Sequence, residues 1–284
     1  MYTYKMSNNL NAFRKNIYTN FGVKPCPGYG EDGVLVEVFD QIGISQKPLC
    51  VEFGELRVLG TTTRSFRIRF LAKALYFSGS MDKYSHFLNL LDIFKITLKH
   101  RNFRYLKFLR NQPKKIYADT KNINSIVENF AKGRDIDLMV VDIDSFDFEL
   151  VSQLLTLNCK PRVLVVEYNP SIPKSLSIYL TEESAKLKFK NRRVYGASYS
   201  AWENLMTKHN YSLIHISGFC NLHYIRGNIN HNFEKPNLDL EITDTNEKVL
   251  SFAQSYCLPG FLPSWINEPL LTNSEIEIFA KYQP

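Results

Sequence analysis

The sequence lacks any apolar run that approaches the roughly eighteen residues of a membrane-spanning helix. Its N-terminal stretch also lacks the apolar core of a secretory signal peptide. Cysteines are few and far apart, and no CxxC spacing points to a disulfide framework or a cysteine-rich metal site. We therefore expect a cytoplasmic protein whose cysteines stay reduced: Cys26, Cys50, Cys159, Cys220 and Cys257.

Histidine offers no catalytic or metal-binding pattern either. The six histidines show no ligand spacing such as HxxxH, and neither a Ser-His-Asp nor a Cys-His arrangement can be argued from the sequence. The composition is otherwise that of a globular protein, with 44% hydrophobic and 22% charged residues. A chain of 284 residues can form one large α/β domain with appendages, or two small domains.

Acidic residues are missing from one long stretch. Between Phe94 and Ala118 the chain has eight lysines or arginines and no aspartate or glutamate. This basic face, at about 95–115, suits an anionic partner such as a glycan, a nucleotide-linked substrate, nucleic acid or a lipid surface. It is equally consistent with the solvated face of a helix. Aromatic residues among these cations can stack on bases, although helix packing is their more usual role.

The stretch from Asp135 to Pro173 is the part around which the remaining chain is organised. Two short apolar runs, 138–141 and 163–166, are rich in β-branched residues and bounded by polar or turn residues. Both are predicted to be fully buried parallel strands. Apolar residues between them have the spacing of one helix face: Phe148, Val151, Leu154 and Leu155. The three elements form a right-handed βαβ unit.

Polar residues stand at the end of each of these two strands. The first run leads into Asp142 and Asp144, and the second into Glu167 and Asn169. Ligands of open α/β sheets bind outside the carboxyl ends of the strands. We therefore expect the chemistry of this protein at the rim where these oxygens meet.

The rest of the chain alternates between predicted helices and strands. Further strands are expected at 49–53, 75–77, 116–117, 212–217 and 222–227, and helices at 34–42, 65–72, within 84–115, from 122, and at 198–210. The fold class is α/β: a Rossmann-like, mostly parallel sheet of seven strands with a terminal antiparallel hairpin and helices on both faces. We divide the chain into an N-terminal extension (1–20), an α/β domain (21–228) and a C-terminal extension (229–284).

Several strings, in a fixed order, carry a resemblance to a known family. They are GEDGVLVEVFDQIG, CVEFGE, ADTKNINSIV, LMVVDIDSFDFELV, RVLVVEYNPSIP and YGASYSAWENLMTKHNYSLIHISGFCNLHYIRG. From Tyr29 to Arg226 the sequence resembles the FkbM-like methyltransferases of polysaccharide and glycan gene clusters, which belong to the class I S-adenosylmethionine-dependent methyltransferases. The signatures VDIDxxD, VEYNxxxP and YGAS are specific to this group when they occur together.

The resemblance implies an S-adenosylmethionine site. Gly54 would let the backbone approach the methionine end of the cofactor, but the aspartate and glycine that follow it in the family are replaced here. Ser78 stands where the family has an acid for the ribose hydroxyls, and a serine lacks the charge assistance of a carboxylate. The cofactor-binding residues implied are Glu31, Asp32, Glu52, Gly54, Ser78, Asp119 and Asp142.

The acidic rim resembles the magnesium site of catechol-type O-methyltransferases. Carboxylate and amide oxygens suit Mg²⁺ or Ca²⁺, and such an ion would orient a sugar hydroxyl and lower its pKa. The implied metal ligands are Asp142, Asp144, Glu167 and Asn169, the first three of them also catalytic. The structural alternative is that Asp142 and Asp147 cap the following helix.

Three residues are candidate contacts for the substrate: Asn169, Tyr195 and Ser198. For the last two the alternative is a packing tyrosine and an N-cap serine. Glu31 and Asp32 likewise have an alternative role as acids at a helix N-terminus, where they complement the helix dipole.

Two functions from different classes follow. The first is an S-adenosylmethionine-dependent O-methyltransferase that acts on a sugar hydroxyl of a glycan or sugar-nucleotide substrate, assisted by Mg²⁺ or another divalent metal. The second is a methyltransferase-like scaffold that has lost catalysis and serves as a binding protein through its basic face. The replaced positions near Gly54 and at Ser78 motivate the second.

Overall fold

The computed structural model describes residues 31–54, 61–78, 83–101, 114–187, 189–217, 220–236 and 270–283, together with positions 103, 106 and 109. The helices are α1 (Glu31–Ile42), α2 (Arg64–Phe70), α3 (Lys83–His100), α4 (Ile123–Ala131), α5 (Asp147–Thr156), α6 (Glu182–Ala185), α7 (Tyr199–Lys208) and α8 (Asn273–Ile276). The strands are β1 (Leu49–Phe53), β2 (Lys73–Ser78), β3 (Lys114–Lys115), β4 (Leu138–Val141), β5 (Val163–Glu167), β6 (Ile178–Tyr179), β7 (Tyr211–Ser217), β8 (Asn221–Arg226) and β9 (Ala280–Lys281).

The central sheet has the strand order β3-β2-β1-β4-β5-β8-β7. Pairing is parallel from β3 through β5, whereas β8 runs antiparallel to both β5 and β7. Six of these strands have four or more residues, and the outermost, β3, has two. The α/β class and the mostly parallel sheet with a terminal hairpin are therefore confirmed.

Apolar packing on both faces of the sheet explains why β4 is apolar at every position. Along β4, Met139 and Val141 belong to the core beneath α4, α5 and α7, while Leu138 and Val140 belong to the core beneath α1 and α2. Successive side chains of a strand point to opposite faces, so a strand covered on both sides needs an apolar residue at every position. Helices on both faces are thus the cause of the unbroken run LMVV.

The predicted strand at 116–117 is wrong, because β3 occupies Lys114–Lys115. Its two residues pair with Phe77 and Ser78, where β2 ends. Beyond that point no neighbouring strand is left to pair with, and the chain from Ile116 continues as a loop. The helix predicted within 84–115 is confirmed as α3, which ends at His100, and the following Arg101 adopts a left-handed φ of 48°.

The segment after β5 contains more regular structure than its sequence indicates. No helix or strand is predicted from the sequence for 171–193, yet β6 and α6 lie within this stretch. The antiparallel partner of β6 is β9, about a hundred residues further along the chain. The sequence around β6 alone therefore does not predict this strand pair. A small core of buried residues joins the two segments: Ile172, Ile178, Leu180, Val194 and Phe279.

The domain boundaries at 20 and 228 stay predictions, and the N-terminal extension lies outside the described residues. No helix in the described part of the chain is both long enough and apolar enough to cross a membrane.

Candidate active site

The end of β1 touches the end of β4 at a glycine. Gly54 has a φ of +115°, and a Cβ built on it would lie 1.5 Å from the carbonyl oxygen of Asp142. The Gly54 N–H donates to the carbonyl oxygen of Phe77 at 3.0 Å, which also fixes the end of β2. No residue with a side chain fits here without moving one of these strand ends.

A cavity of about 480 Å³ opens at this junction. It lies at the carboxyl ends of β1, β2 and β4, where open α/β sheets bind their ligands. Its volume falls within the range of small-molecule sites. The lining residues are Phe53, Gly54, Phe77, Ser78, Ile116, Tyr117, Ala118, Asp142, Ile143, Asp144, Ser145 and Phe146.

The loop after β4 is held from beneath by Asp147. This fully buried carboxylate accepts hydrogen bonds from the backbone N–H of Ile143 at 2.6 Å and of Ser145 at 3.0 Å. It therefore organises the loop that precedes α5, which differs from the helix-capping alternative. Burial raises the pKa of Asp147 to about 6, although the two N–H groups oppose the shift.

Within this loop Asp144 adopts a left-handed conformation, with a φ of 51°. This region is uncommon for residues other than glycine, and it occurs preferentially at functional sites. The Gly196 N–H, donating to the carbonyl oxygen of Ser145 at 2.6 Å, fixes the loop from the opposite side.

Three carboxylates converge beside the cavity. Asp142, Asp144 and Glu167 each place a carboxylate oxygen within 4.8 Å of the others. Burial, then the charges of Asp142 and Asp144, raise the pKa of Glu167 well above its usual range. The Oε2 atom of Glu167 is buried and has no hydrogen-bond partner among the described residues. A buried oxygen of this kind is costly unless it is protonated or meets a cation.

Asn169, the fourth predicted metal ligand, is fully buried and differently engaged. Its Nδ2 donates to the carbonyl oxygens of Arg193 at 2.5 Å and Tyr195 at 2.9 Å, and its Oδ1 accepts from the N–H of Ser171 at 2.9 Å. These contacts tie β5 to the segment 193–196. Its roles as metal ligand and substrate contact stay predictions, while its visible role is to position this segment.

Tyr195 is buried close to the acidic cluster. Burial, followed by the charges of Glu167, Cys220, Asp144 and Asp142, raises the pKa of its hydroxyl well above the usual value. Arg192 lies on the same segment, and its charge opposes the burial that raises the pKa of Asp144. No spacing in the sequence indicates that Arg192 reaches Asp144.

Ser198 is the N-cap of a helix, which is the alternative to a substrate contact. The residue is fully buried, and its Oγ accepts from the N–H of Ala201 at 3.1 Å as the N-cap of α7. It also accepts from the N–H of Ile178 at 3.2 Å. The side chain therefore joins α7 to β6, and a substrate contact through it stays a prediction.

Glu52 supports the chain that follows the first turn. Its buried carboxylate accepts from the N–H groups of Thr62 at 2.9 Å and Thr63 at 3.1 Å, and from the Thr63 hydroxyl at 2.7 Å. Ser78, also buried, does line the cavity. Of these two predicted cofactor residues, the structure brings only Ser78 to the cavity wall.

None of the remaining predicted cofactor residues is among the described residues that line the cavity. Asp119 accepts through Oδ1 from the N–H groups of Lys121 at 3.0 Å and Asn122 at 2.8 Å, which shapes the start of α4. Glu31 and Asp32 open α1, and their side chains lie outside the described residues. Their cofactor roles stay predictions.

A parallel sheet closed by an antiparallel hairpin, with a cavity at the carboxyl ends of its first strands, is the arrangement of a class I methyltransferase. The chain belongs to the FkbM methyltransferase family: the family model described as "Methyltransferase FkbM domain" matches residues 6–213. The resemblance argued from the sequence is thereby confirmed. No curated protein matches the chain.

A solved structure of an O-methyltransferase family protein from Burkholderia thailandensis is also similar to this chain. It has a TM-score of 0.38 and 10% sequence identity, over 76% of this chain and 70% of that chain.

Proposed function

We propose that this protein is an S-adenosylmethionine-dependent O-methyltransferase that acts on a sugar hydroxyl of a glycan or sugar-nucleotide substrate. The observation that carries the proposal is the position of Asp142. Its backbone closes the cavity against Gly54, and its carboxylate belongs to the acidic cluster. A cofactor in the cavity and an acceptor at the cluster would therefore meet at one residue. The sugar acceptor is inferred from the family resemblance.

The residues around the cavity fit the cofactor in place and size. Gly54 leaves the backbone open to a close approach, and Ser78 offers a hydroxyl where the family carries an acid. One neutral hydrogen bond replaces a charge-assisted one, so we expect affinity to be lower than with a carboxylate. When bound, the cofactor supplies an electrophilic methyl group on a sulfonium.

The acidic cluster fits a hard divalent cation such as Mg²⁺. Asp142, Asp144 and Glu167 would hold it, and the buried Oε2 of Glu167 would gain the partner it lacks among the described residues. The chemistry that such an ion supplies is positive charge, which lowers the pKa of a nearby hydroxyl.

Carboxylates of this chain can accept the proton that the acceptor hydroxyl loses. In the proposed reaction the acceptor's hydroxyl proton would pass to a carboxylate of this chain, while the bound cofactor would supply the methyl group and keep the bonding electron pair on its sulfur. Asp142 and Asp144 both line the cavity and belong to the cluster, so both are candidate bases; we assign the role to Asp142, whose backbone also meets Gly54 at the strand end. Glu167 belongs to the cluster but is not among the described residues that line the cavity, so we assign it to the ion and not to the proton.

The first experiment is isothermal titration of the protein with S-adenosylhomocysteine, with and without Mg²⁺. We expect saturable binding at micromolar ligand, tighter with Mg²⁺. The absence of binding at millimolar ligand in both conditions would contradict the proposal.

The role of Asp142 is tested by Asp142→Asn, which keeps the shape of the side chain and removes its charge. We expect methyl transfer from radiolabelled S-adenosylmethionine to a panel of sugars and nucleotide sugars to fall by at least about a hundredfold, with thermal unfolding unchanged. The matched control is Asp135→Asn, an exposed carboxylate just before the opposite end of β4. An unchanged rate in Asp142→Asn would exclude both the base and the metal role.

A non-catalytic scaffold is the second candidate, favoured by the neutral Ser78 at the cavity wall. It predicts no cofactor binding in the titration above. It also predicts that charge reversal at Arg101, Arg104 and Lys107 weakens partner binding. Cofactor binding combined with methyl transfer would exclude it.

A further inference from the structure

Helix α3 contacts the rest of the protein through a narrow strip. Asn89, Ile93 and Thr97, spaced by four residues, are its most buried side chains among those described. The Thr97 hydroxyl donates to the carbonyl oxygen of Ile93 at 2.7 Å, so this hydrogen bond lies within α3 and does not connect the helix to a neighbouring element. Only one of the three residues is a large aliphatic side chain.

The opposite side of α3 is apolar and faces solvent. Phe87, Leu91, Phe94 and Leu98 are 56%, 37%, 52% and 77% exposed. Their spacing of four, three and four residues places them in one continuous stripe along the helix. Proteins rarely expose several large apolar side chains side by side, and such patches usually mark an interaction surface.

Cations accompany this stripe at its C-terminal end. Lys95 and Arg101 are both exposed; Lys95 follows Phe94 within α3, and Arg101 comes directly after the last residue of the helix. In the sequence, eight lysines or arginines and no acidic residue fall between Phe94 and Ala118. Asp92, the acid of α3, precedes this stretch, so the part of the helix that carries Phe94 and Leu98 combines bulky apolar groups with positive charge.

We propose that α3 binds the surface of anionic lipid bilayers. The stripe of Phe87, Leu91, Phe94 and Leu98 enters the boundary between head groups and acyl chains, and Lys95 and Arg101 pair with lipid phosphates. Helices that lie in the membrane interface combine an apolar face with flanking lysines and arginines in this way. The proposal is independent of the catalytic one, because the stripe shares no residue with the cavity or the acidic cluster.

Other partners fit these observations less well. Bases can stack on Phe87 and Phe94, but nucleic acid would leave Leu91 and Leu98 of the stripe without an apolar partner. A folded protein partner would need an apolar groove ringed by acids, whereas an anionic bilayer supplies both properties without a specific shape.

The test is co-sedimentation of the purified protein with vesicles of phosphatidylcholine, with and without phosphatidylglycerol, at low and high salt. We expect binding to vesicles with phosphatidylglycerol, weakened by salt, and at least about tenfold weaker binding to phosphatidylcholine alone. Lys95→Glu combined with Arg101→Glu should lower the affinity for anionic vesicles by about tenfold or more. Phe94→Ser combined with Leu98→Ser should lower it similarly.

The matched control is Leu187→Ser, which removes a leucine that is 60% exposed elsewhere on the molecule. It should bind vesicles as the unchanged protein does. The proposal is overturned if the unchanged protein does not bind anionic vesicles, or if the Phe94 and Leu98 changes leave that binding intact. Two other outcomes would overturn it when the protein does not bind vesicles. One is a dimer in sedimentation velocity that the Phe94 and Leu98 changes dissociate. The other is binding of an RNA oligonucleotide that the Phe94 and Leu98 changes do not affect.

Discussion

Gly54 and Gly43 share a left-handed backbone but differ in their surroundings. At Gly54 an added Cβ meets the carbonyl oxygen of Asp142 at 1.5 Å, whereas at Gly43, with a φ of +73°, it meets nothing within 4 Å. An alanine at Gly43 would therefore lose stability through its backbone conformation alone, whereas an alanine at Gly54 would also clash with a neighbouring strand. Only the clash concerns the cavity.

We predict that Gly43→Ala lowers the free energy of unfolding by about 1 kcal/mol, the cost of a left-handed conformation for alanine. Gly54→Ala should cost several times as much, because β1 or β4 must also move. Gly54→Ala should in addition abolish binding of S-adenosylhomocysteine, which Gly43→Ala should retain. Urea unfolding and calorimetric titration of both variants measure these effects. Equal stabilities for the two would show that the contact with Asp142 is easily relieved.

For Asn169 the position can be predicted from the sequence, but its hydrogen-bond partners cannot. Its place at the end of a buried strand is predictable, because the run that precedes it is apolar and bounded by polar residues. The direction of its amide is not, since the carbonyl groups it contacts belong to residues 193 and 195. Those partners come together only after the segment that follows β5 has folded back.

Among the elements, the loop between β4 and α5 depends most on one titrating group. Asp147 is buried and accepts two backbone hydrogen bonds from this loop. Its pKa is raised from 3.8 to about 6, so the folded state favours the protonated form more than the unfolded chain does. The stability that this group contributes is present below pH 3.8 and is lost as the pH rises through about 6.

We compare the free energy of unfolding of the unchanged protein with that of Asp147→Asn, and we predict that the first minus the second falls as the pH rises from 4 to 7. The shift of about 2 pKa units corresponds to a fall of about 3 kcal/mol in this difference between the two free energies. Asparagine does not titrate, so subtracting the two profiles removes the acids that do not interact with Asp147. Glu167, whose pKa is raised in part by the charge of Asp147, still contributes to the difference. Urea unfolding in the presence of EDTA at several pH values gives both profiles. A difference that stays constant with pH would mean that Asp147 does not titrate in this range.

Elements were predictable where the signal is local. The run LMVV is apolar at every position and becomes β4, and the run LCVEF is apolar except at Glu52 and becomes β1. The apolar periodicity of α3 likewise predicted a helix, but the face that packs inward is Asn89, Ile93 and Thr97. Which face is buried depends on what the remaining chain offers as a partner, and periodicity does not contain that information.

On the scale of the whole molecule, the C-terminal segment 270–283 supports the site from a distance. Phe279 is buried with Ile178 and Val194, and the Tyr282 N–H donates to the carbonyl oxygen of Ser177 at 2.8 Å. Asn191 Nδ2 donates to Glu275 Oε2 at 3.1 Å, immediately before Arg192. The segment thereby holds the stretch that places Tyr195 beside the acidic cluster.

We predict that Phe279→Ala lowers the free energy of unfolding by about 3 kcal/mol, because it leaves a cavity in this small core. Hydrogen exchange should accelerate at residues 172–196, while the amides of β4 and β5 stay protected. Mass spectrometry of exchanged peptides resolves the two regions. Uniform acceleration across both would show that the small core and the central sheet unfold as one unit.

If the cofactor fills the cavity and an ion fills the acidic cluster, as proposed, both ligands would contact Asp142. The two equilibria would then be coupled, and the coupling would be reciprocal: an ion that strengthens cofactor binding by a given factor would itself be held more tightly by that same factor once the cofactor is present. Each ligand would accordingly be held more weakly when the other is scarce.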